Sequence, residues 1–470
     1  MKDLLLALRN VGRNRRRSAV TILGVALSCG GLGLFGGYVV WSFHAVEEQT
    51  IACFGHLQIY KKGYYDEGSG DPSSYALSNY EQIRQMLVTD EIIGPRLEMV
   101  TAQIVVTGIV NCAATGASTT FYGVGVFPAD DDRLWRWNPY GICPASSLAI
   151  NTALHEGPAE LAEDDANGGS VGPGLARILK LGREPPPAKK TTAPAAAEGS
   201  DQEVDLSFLT EQATAKSEPA STRPQLDLLV SPPGGGLPNV TTLGLRKIIP
   251  RATKELDDAL IKLPIQQASE LLFPGQPLHA TAVIALLKRT EDTEIVVQRL
   301  QELIAQNHLD LEWKRWLEIR PMYSQVKRFM SIIFGFVFIL LAVLVAFAIY
   351  NTQSASIVER LGEIGTLRAM GLTRFGVWKI LALEGFCLGL IGGLIGVAIS
   401  IGGDLFLRSV NILYIPPGVS FYNKVEVLVL RQPWIMLIAF GGSLLCAIIS
   451  SALPARRAAR TPIVEALRHV

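Results

Sequence analysis

The sequence predicts an α-helical membrane protein. It has four transmembrane helices, cytoplasmic N- and C-termini, and a large mixed α/β extracytoplasmic domain between helices one and two. Three observations predict this class: four long apolar stretches without a charge, a one-sided distribution of Lys and Arg, and roughly 280 intervening residues with strand and helix patterns of their own. Composition agrees. Of the 470 residues, 49% are apolar and 18% charged, against roughly 25% charged in an average soluble domain. The 43 basic and 43 acidic side chains cancel, which argues against the basic face of a nucleic-acid binder. Six Cys without a CxxC pair and six scattered His argue against a structural zinc site.

The charge-free stretches are 18–46, 329–358, 385–403 and 432–455. A spanning helix needs about 20 mostly apolar residues. The predicted spans are therefore 18–46, 328–356, 375–403 and 432–454. The first apolar run is far longer than the roughly 7–15 residues of a cleaved signal peptide, so an uncleaved helix is expected. Orientation follows from basic residues near helix ends. Lys2, Arg9, Arg13, Arg15, Arg16 and Arg17 precede the first helix; Arg360, Arg368, Arg374 and Lys379 lie between the second and third; Arg456, Arg457, Arg460 and Arg468 follow the fourth. The loop at 404–431 holds only Arg408, Lys424 and Arg431. Segments 1–17, 357–374 and 455–470 are thus expected in the cytoplasm, with 47–327 and the short loop 404–431 outside. Trp41 and Trp434 fall at outer helix ends and Trp378 at an inner one, where interfacial anchoring favours them. From Pro321 the chain enters the second helix without Gly or Pro until Gly335, which predicts a helix that continues out of the membrane as a stalk.

Gly33 and Gly37 are four apart, as are Gly385 and Gly389, Gly389 and Gly393, and Gly392 and Gly396. Small residues at that spacing let helix backbones approach closely in lipid, either within one four-helix unit or across a dimer.

In the extracytoplasmic segment, 56–60 alternates like a strand, and 103–111 and 119–126 are rich in β-branched and apolar residues. A short helix is expected over 174–181, between Pro173 and Gly182. A strand at 279–287, a helix at 293–306 with Val296, Leu300 and Leu303 on one face, and a strand at 309–313 form a strand–helix–strand unit. Residues 183–200 (REPPPAKKTTAPAAAEGS) and SPPGGGLP from Ser231 contain little that can build a core, so a mobile Pro/Ala-rich insertion is expected over about 183–240. Within it, 204–229 has the makings of one further strand or helix.

No GxxxxGK[ST] or HExxH occurs, and neither catalytic residues nor a metal site are assigned. Asp130, Asp131 and Asp132 read as a solvated turn. Glu384, near the cytoplasmic end of the third span, is a functional suspect because ionisable groups in membranes generally are. Cys112 and Cys143 are a candidate pair in an oxidising exterior, with free thiols as the alternative. In the loop after the second helix, Ile357, Leu361 and Ile364 make an apolar stripe, with Glu359 and Glu363 on another face; such a short amphipathic helix needs a partner surface.

Three segments carry a resemblance: LALRNVGRNRRRSAVTILGVALS at the start, IVERLGEIGTLRAMGLTR from Ile357, and LPARRAARTPIVEALR from Leu453. With them the chain resembles the FtsX/MacB-like permeases of ABC transporters, a family of mechanotransmission type that includes lipoprotein-releasing permeases. The resemblance covers about 45 residues at the start and 150 at the end; between them it rests on placement and on pieces such as FYGVGVFPADD. It implies a multi-pass protein of the bacterial inner membrane. It further implies a dimer with a second permease copy or a homologous permease, and two cytoplasmic ABC ATPase subunits that bind ATP and Mg, so that this chain itself binds no cofactor and is not an enzyme. The loop after the second helix would be the coupling helix that docks on the ATPase, placing Glu359, Arg360, Glu363, Ile364, Gly365, Arg368, Ala369 and Gly371 there. Implied work on a lipoprotein or lipid-like substrate has two alternatives: efflux through a periplasmic adaptor, and signalling to a cell-wall hydrolase. A lipoprotein carrier would be the partner in release; membrane lipids surround the helices, and no nucleic acid is expected. The chain departs from the MacB pattern in carrying no fused ATPase, and from compact members in its Pro/Ala-rich insertion.

Overall fold

A computed structural model describes residues 2–13, 15–68, 70–140, 160–181, 223–233, 236–251, 254–410, 412–414, 423–424 and 427–463. Cys143, the Pro/Ala-rich stretch 183–200 and Arg468 lie outside them. The chain divides into a helical unit, residues 1–44, 324–412 and 425–470, and a sheet unit, residues 45–323 and 413–424.

The helical unit is built from α1 (Lys2–Arg13), α2 (Arg15–Phe54), and, after the helices of the sheet unit, α10 (Met322–Glu359), α11 (Leu361–Ala369), α12 (Arg374–Val410) and α13 (Pro433–Arg460). Four of these are long and apolar enough to cross a membrane. All four outrun their apolar stretches. α2 has 40 residues, about 60 Å at 1.5 Å per residue, and α10 has 38. Charge-free length marks only the lipid-compatible part of a helix; helix-forming polar flanks without a breaker carry it further. The loop expected to begin at Asp404 shows this well. Asp404 is fully buried and pairs with Arg408 one turn on, at 2.7 and 2.9 Å, so the charge is satisfied inside the helix and α12 runs on to Val410. Likewise α13 begins with Pro433 at its first position, where no N–H is needed, and passes through Pro454 to Arg460, taking in residues expected to be tail.

The interior of this unit joins Val25, Val345, Ile349 and Ala447 in one cluster and Cys29, Leu32 and Ala439 in another. α10 turns Phe329, Ile332, Phe336, Ile339, Val343 and Phe347 outward, the apolar exterior that lipid tolerates and water does not. Trp41 departs from the interfacial role expected of it. It is buried, and its ring stacks on Tyr38. Trp434 is half exposed.

The sheet unit contains a nine-stranded sheet. Its strands are β1 (Leu57–Lys61), β2 (Leu97–Cys112), β3 (Ala117–Val126), β4 (Gly168–Val171), β5 (Gln225–Val230), β6 (Asn239–Ile248), β7 (Leu260–Pro264), β8 (Ala282–Leu287) and β9 (Leu311–Arg315). Helices α3 (Tyr80–Thr89), α4 (Pro128–Trp135), α5 (Pro173–Ile178), α6 (Lys254–Ala259), α7 (Ile265–Leu272), α8 (Thr293–Gln306) and α9 (Trp316–Ile319) punctuate them. The order is β3-β7-β4-β6-β5-β2-β8-β1-β9, and β3 also pairs with β2. Six strands therefore close on themselves. β2 serves both halves: Gln103–Cys112 pairs with β3 inside the closed part, while Leu97–Gln103 pairs with β8 outside it.

Each half has its own core. Ile104, Val106, Val110, Leu226, Leu228, Leu243 and Ile261 fill the closed part, with Leu175 of α5 and Ala268 of α7. Leu57, Ile59, Val283 and Ala285 pack with Val296 and Leu300 of α8 and with Ile83 and Leu87 of α3. In that second half β8 and β9 flank β1, each antiparallel to it, so β8–α8–β9 is the expected strand–helix–strand unit with β1 inserted between its strands.

The stretch expected as an insertion over 183–240 is only partly one. β5 and the first residues of β6 lie in it and form an antiparallel hairpin, Leu228 opposite Thr241. SPPGGGLP is the connection of that hairpin. With Leu226, Leu228 and Val230 all buried, β5 begins within 204–229, where one further strand or helix was expected. Cys112 is buried in the closed core.

Candidate functional site

The region implied as the coupling element is α11 with its surroundings in the helical unit. α10 ends at Glu359, Arg360 has non-helical backbone (φ −111°, ψ 16°), and α11 starts at Leu361. Gly371 ends it. With φ +101°, Gly371 lets Leu372 N–H donate back to Leu367 C=O and its own N–H to Arg368 C=O, both at 3.1 Å. This is the Schellman closure that favours glycine.

The apolar stripe does not await a partner. Ile357 and Ile364 are 7% and 8% exposed and form a cluster with Val377 and Leu381 of α12 and Ala455, Ala458 and Ala459 of α13, with Leu361 against it. This corrects the expectation of an external surface for the stripe: residues some ninety positions away in sequence supply the cover. Gly365 is buried on the same side. Solvent-facing are Glu359, Glu363, Ala369 and Gly371, together with Leu367, Met370 and Phe375, which sequence patterning did not single out. Arg368 donates to Thr461 C=O at the end of α13.

Ion pairs bind α11 and the end of α10 to the N-terminal segment. Arg13 reaches Glu363 at 3.0 Å and Arg17 reaches Glu359 at 2.7 Å, both exposed; such pairs contribute about 0–1 kcal/mol each. Arg360 is different. Its side chain is 6% exposed and meets Glu384, 5% exposed, at 3.1 Å; it also donates to Asn10 C=O at 3.2 Å, while the Asn10 side chain donates to Glu384. Glu384 was legible as an ionisable group in an apolar helix. Asn10 carried no signal beyond being a polar residue in a Leu-rich segment.

The five glycines implied in helix packing all make close approaches within the chain. A Cβ on Gly385, Gly389 or Gly393 of α12 would meet Ser451, Ala447 or Phe440 of α13; one on Gly33 would meet Ser400 of α12, and one on Gly37 would meet Val427 and Val429. Between them, Gly392 and Gly396 face Val25 and Cys29 of α2. α12 thus presents two glycine seams, one to α13 and one to α2.

In the sheet unit the acidic run lies on α4, not in a turn; Asp132 pairs with the exposed Arg136, whereas Asp131 enters a buried ionic cluster. Asp131 on α4 receives Lys262 Nζ of β7 at 2.8 Å, and Lys262 also lies 3.5 Å from Glu160. Arg251 donates to Glu160 at 2.6 Å and to Ser170 at 2.8 Å, and Lys262 sits 5.3 Å above the Trp135 ring. Burial by itself raises the Glu160 carboxyl, but Arg251 and Lys262 beside it, with hydrogen bonds from Ser170 and Arg251, bring it down to about 2. Among the described residues no group of His, Cys, Asp and Glu is arranged to hold a metal ion.

The FtsX-like permease C-terminal family matches residues 332–463. The pyoverdine export ATP-binding/permease protein PvdT of Pseudomonas entomophila is 23% identical over 216 residues, 45% of this chain and 30% of that protein. The lipoprotein-releasing system transmembrane protein LolC of Haemophilus influenzae is 27% identical over 154 residues, 33% of this chain and 38% of that one. The macrolide export ATP-binding/permease protein MacB of Escherichia coli is 27% identical over 196 residues, 41% and 28% respectively. The match spans about a third of the length of these curated relatives. Among solved structures, the periplasmic region of MacB from Actinobacillus actinomycetemcomitans aligns with 58% of this chain and 95% of its own, at TM-score 0.30 and 12% identity. Residues 332–463 of this chain are an FtsX-like permease domain, similar at modest identity to the ABC-transporter permeases LolC, MacB and PvdT.

Proposed function

We propose that the chain is a permease subunit that couples ATP hydrolysis by an ABC ATPase to movement of its sheet unit on the far side of the bacterial inner membrane. The observation that carries this reading is α11: a short helix pinned on its apolar side by α12 and α13, with Glu359, Glu363, Leu367 and Met370 turned to solvent. A helix held rigidly from behind and open in front is suited to receive force. The 470 residues contain no phosphate-binding loop, so hydrolysis is assigned to an ATPase with its bound ATP and Mg, two copies serving two permease chains. The docking surface is the solvent-facing set, with Arg360, Ile364 and Gly365 supporting it from within. The five packed glycines hold α2, α12 and α13 together as the frame that α11 moves.

The substrate in this reading is a lipoprotein or lipid-like molecule taken from the outer leaflet, a reading supported by the similarity to LolC of a lipoprotein-releasing system. Export of a small molecule or peptide is the second reading, favoured by the longer matches to PvdT and MacB. Affinity purification of the full chain from native membranes tests both. An ABC ATPase recovered with it supports the coupling role, and its absence under conditions that preserve the membrane unit overturns it. Lipoproteins or a lipoprotein carrier in the same preparation favour release; a periplasmic adaptor favours export.

A further inference from the structure

The break between α10 and α11 carries more polar chemistry than a helix break requires. Arg360, the residue at the break, spends its two terminal nitrogens on Glu384 and on Asn10 C=O. Its Nε is buried without a partner among the described residues, and so is Oε1 of Gln353 on α10, a residue 3% exposed. Both line one cavity of about 20 Å³, whose walls also include Ser18, Thr352, Ser356 and Glu384. One atom is a donor and the other an acceptor. A buried water needs roughly 10–15 Å³ and two to four polar partners, so this cavity suits one water and no more.

We propose that a single buried water bridges Arg360 Nε–H and Gln353 Oε1, and that Arg360, completed by it, is a positioning residue that fixes α11 on α12 and α1. The water accepts from the guanidinium and donates to the amide oxygen. Through Arg360 it ties the last turns of α10 to Glu384 of α12 and Asn10 of α1. A helix break with free rotation would absorb a push on α11 as bending at residue 360. With every nitrogen of Arg360 engaged, α11 moves only with α12 and α1. The same pairing explains why a carboxylate is kept in an apolar helix: Glu384 is the counter-charge of the joint, and a polar network of this kind holds best when every member is satisfied.

The inference rests on the proposed function only for what the joint is used for, and both of its tests are made without ATPase or nucleotide. The first is a structure of the full chain in a lipid nanodisc at water-resolving resolution. Density within hydrogen-bond distance of both Arg360 Nε and Gln353 Oε1 is expected; an empty cavity overturns the water. The second is a spin-label distance between Leu367→Cys and Leu394→Cys, in a background whose native cysteines are replaced. Arg360→Met is expected to widen the distance distribution about twofold as the hinge is released, Gln353→Leu to widen it less, and Arg360→Lys, which keeps the charge without the fork, to fall between. A residue that merely stabilised the fold would lower the melting temperature without widening the distribution. Should Arg360→Met not insert, Glu384→Gln takes its place. A distribution as narrow as that of the unsubstituted chain overturns the positioning role and leaves the proposed function standing.

Discussion

Gly385 of α12 and Ser451 of α13 touch so closely that a Cβ built on the glycine would overlap both Oγ and Cβ of the serine. Because Cβ is involved, a rotamer change of Ser451 cannot relieve the overlap, and the helices must part. An open glycine in the same helix behaves oppositely: Gly402 has nothing within 4 Å of its ideal Cβ. Gly402→Ala should leave stability unchanged or raise it by up to about 1 kcal/mol through helix propensity. Gly385→Ala should cost about 1–3 kcal/mol from overpacking. Melting temperatures of the two variants in detergent decide this, and equal values would refute the seam.

Ile364 is buried in α11 and Met370, at its C-terminal cap, is exposed, so their substitutions should separate folding from docking. Ile364→Asp places an unpaired carboxylate among Val377, Leu381 and Ala455, a change of several kcal/mol, so the helical unit itself should melt earlier. Met370 is 76% exposed; Met370→Asp should leave melting within about 0.5 kcal/mol while weakening ATPase recovery tenfold or more. An unaltered complex from the Met370→Asp chain would show that docking lies elsewhere, with the arginine-rich N-terminal segment the next place to look.

That contrast also shows what the sequence carried and what it did not. The four spans were legible because lipid imposes a length and a composition on a helix, and both are local. Strand β2, the α8 helix and the β8–α8–β9 unit were legible for the same reason: alternation and 3.6-residue periodicity are local signals. The cover for Ile364 was not, since Ala455 and Ala458 mark no surface until the fold brings them near. Asp131 looked like one of three solvated acids because its partner Lys262 is 131 residues away. Short strands such as β4, GGSV, carry almost no pattern and are held in place by neighbours, including the parallel pairing of Gly168 with Gly244.

Orientation across the membrane is open to direct measurement. The basic residues near helix ends predict α11 in the cytoplasm and the β5–β6 connection outside. A thiol at Thr366→Cys, which is exposed, should react with a membrane-impermeant reagent only after cells are opened. One at Ser231→Cys, exposed in the β5–β6 connection, should react in intact cells once the outer membrane is permeabilised. Labelling of Thr366→Cys from outside would invert the whole arrangement.

The ionic cluster of the sheet unit should make stability depend on acid in a way that one substitution isolates. The Glu160 carboxyl is held down from its ordinary 4.5 to about 2 in the fold. A carboxyl lowered on folding stabilises above its unfolded value and loses that contribution as pH falls through its folded value. At about 1.4 kcal/mol per unit, the contribution at neutral pH is on the order of 3 kcal/mol. Glu160→Gln keeps the shape and removes the charge, taking from the Arg251 guanidinium the carboxylate it pairs with and leaving Lys262 with Asp131. The variant should therefore melt well below the unsubstituted chain at pH 7. The gap should narrow steadily from about pH 4.5 toward pH 2, because only the unsubstituted chain has a Glu160 carboxylate to protonate. Asp131, pushed upward by burial first and by the Glu160 charge as well, loses the second influence in the variant. Thermal melts of both chains at closely spaced pH values provide the test, and a gap that stays constant from pH 7 to pH 2.5 would mean that the Glu160 charge contributes nothing to the fold.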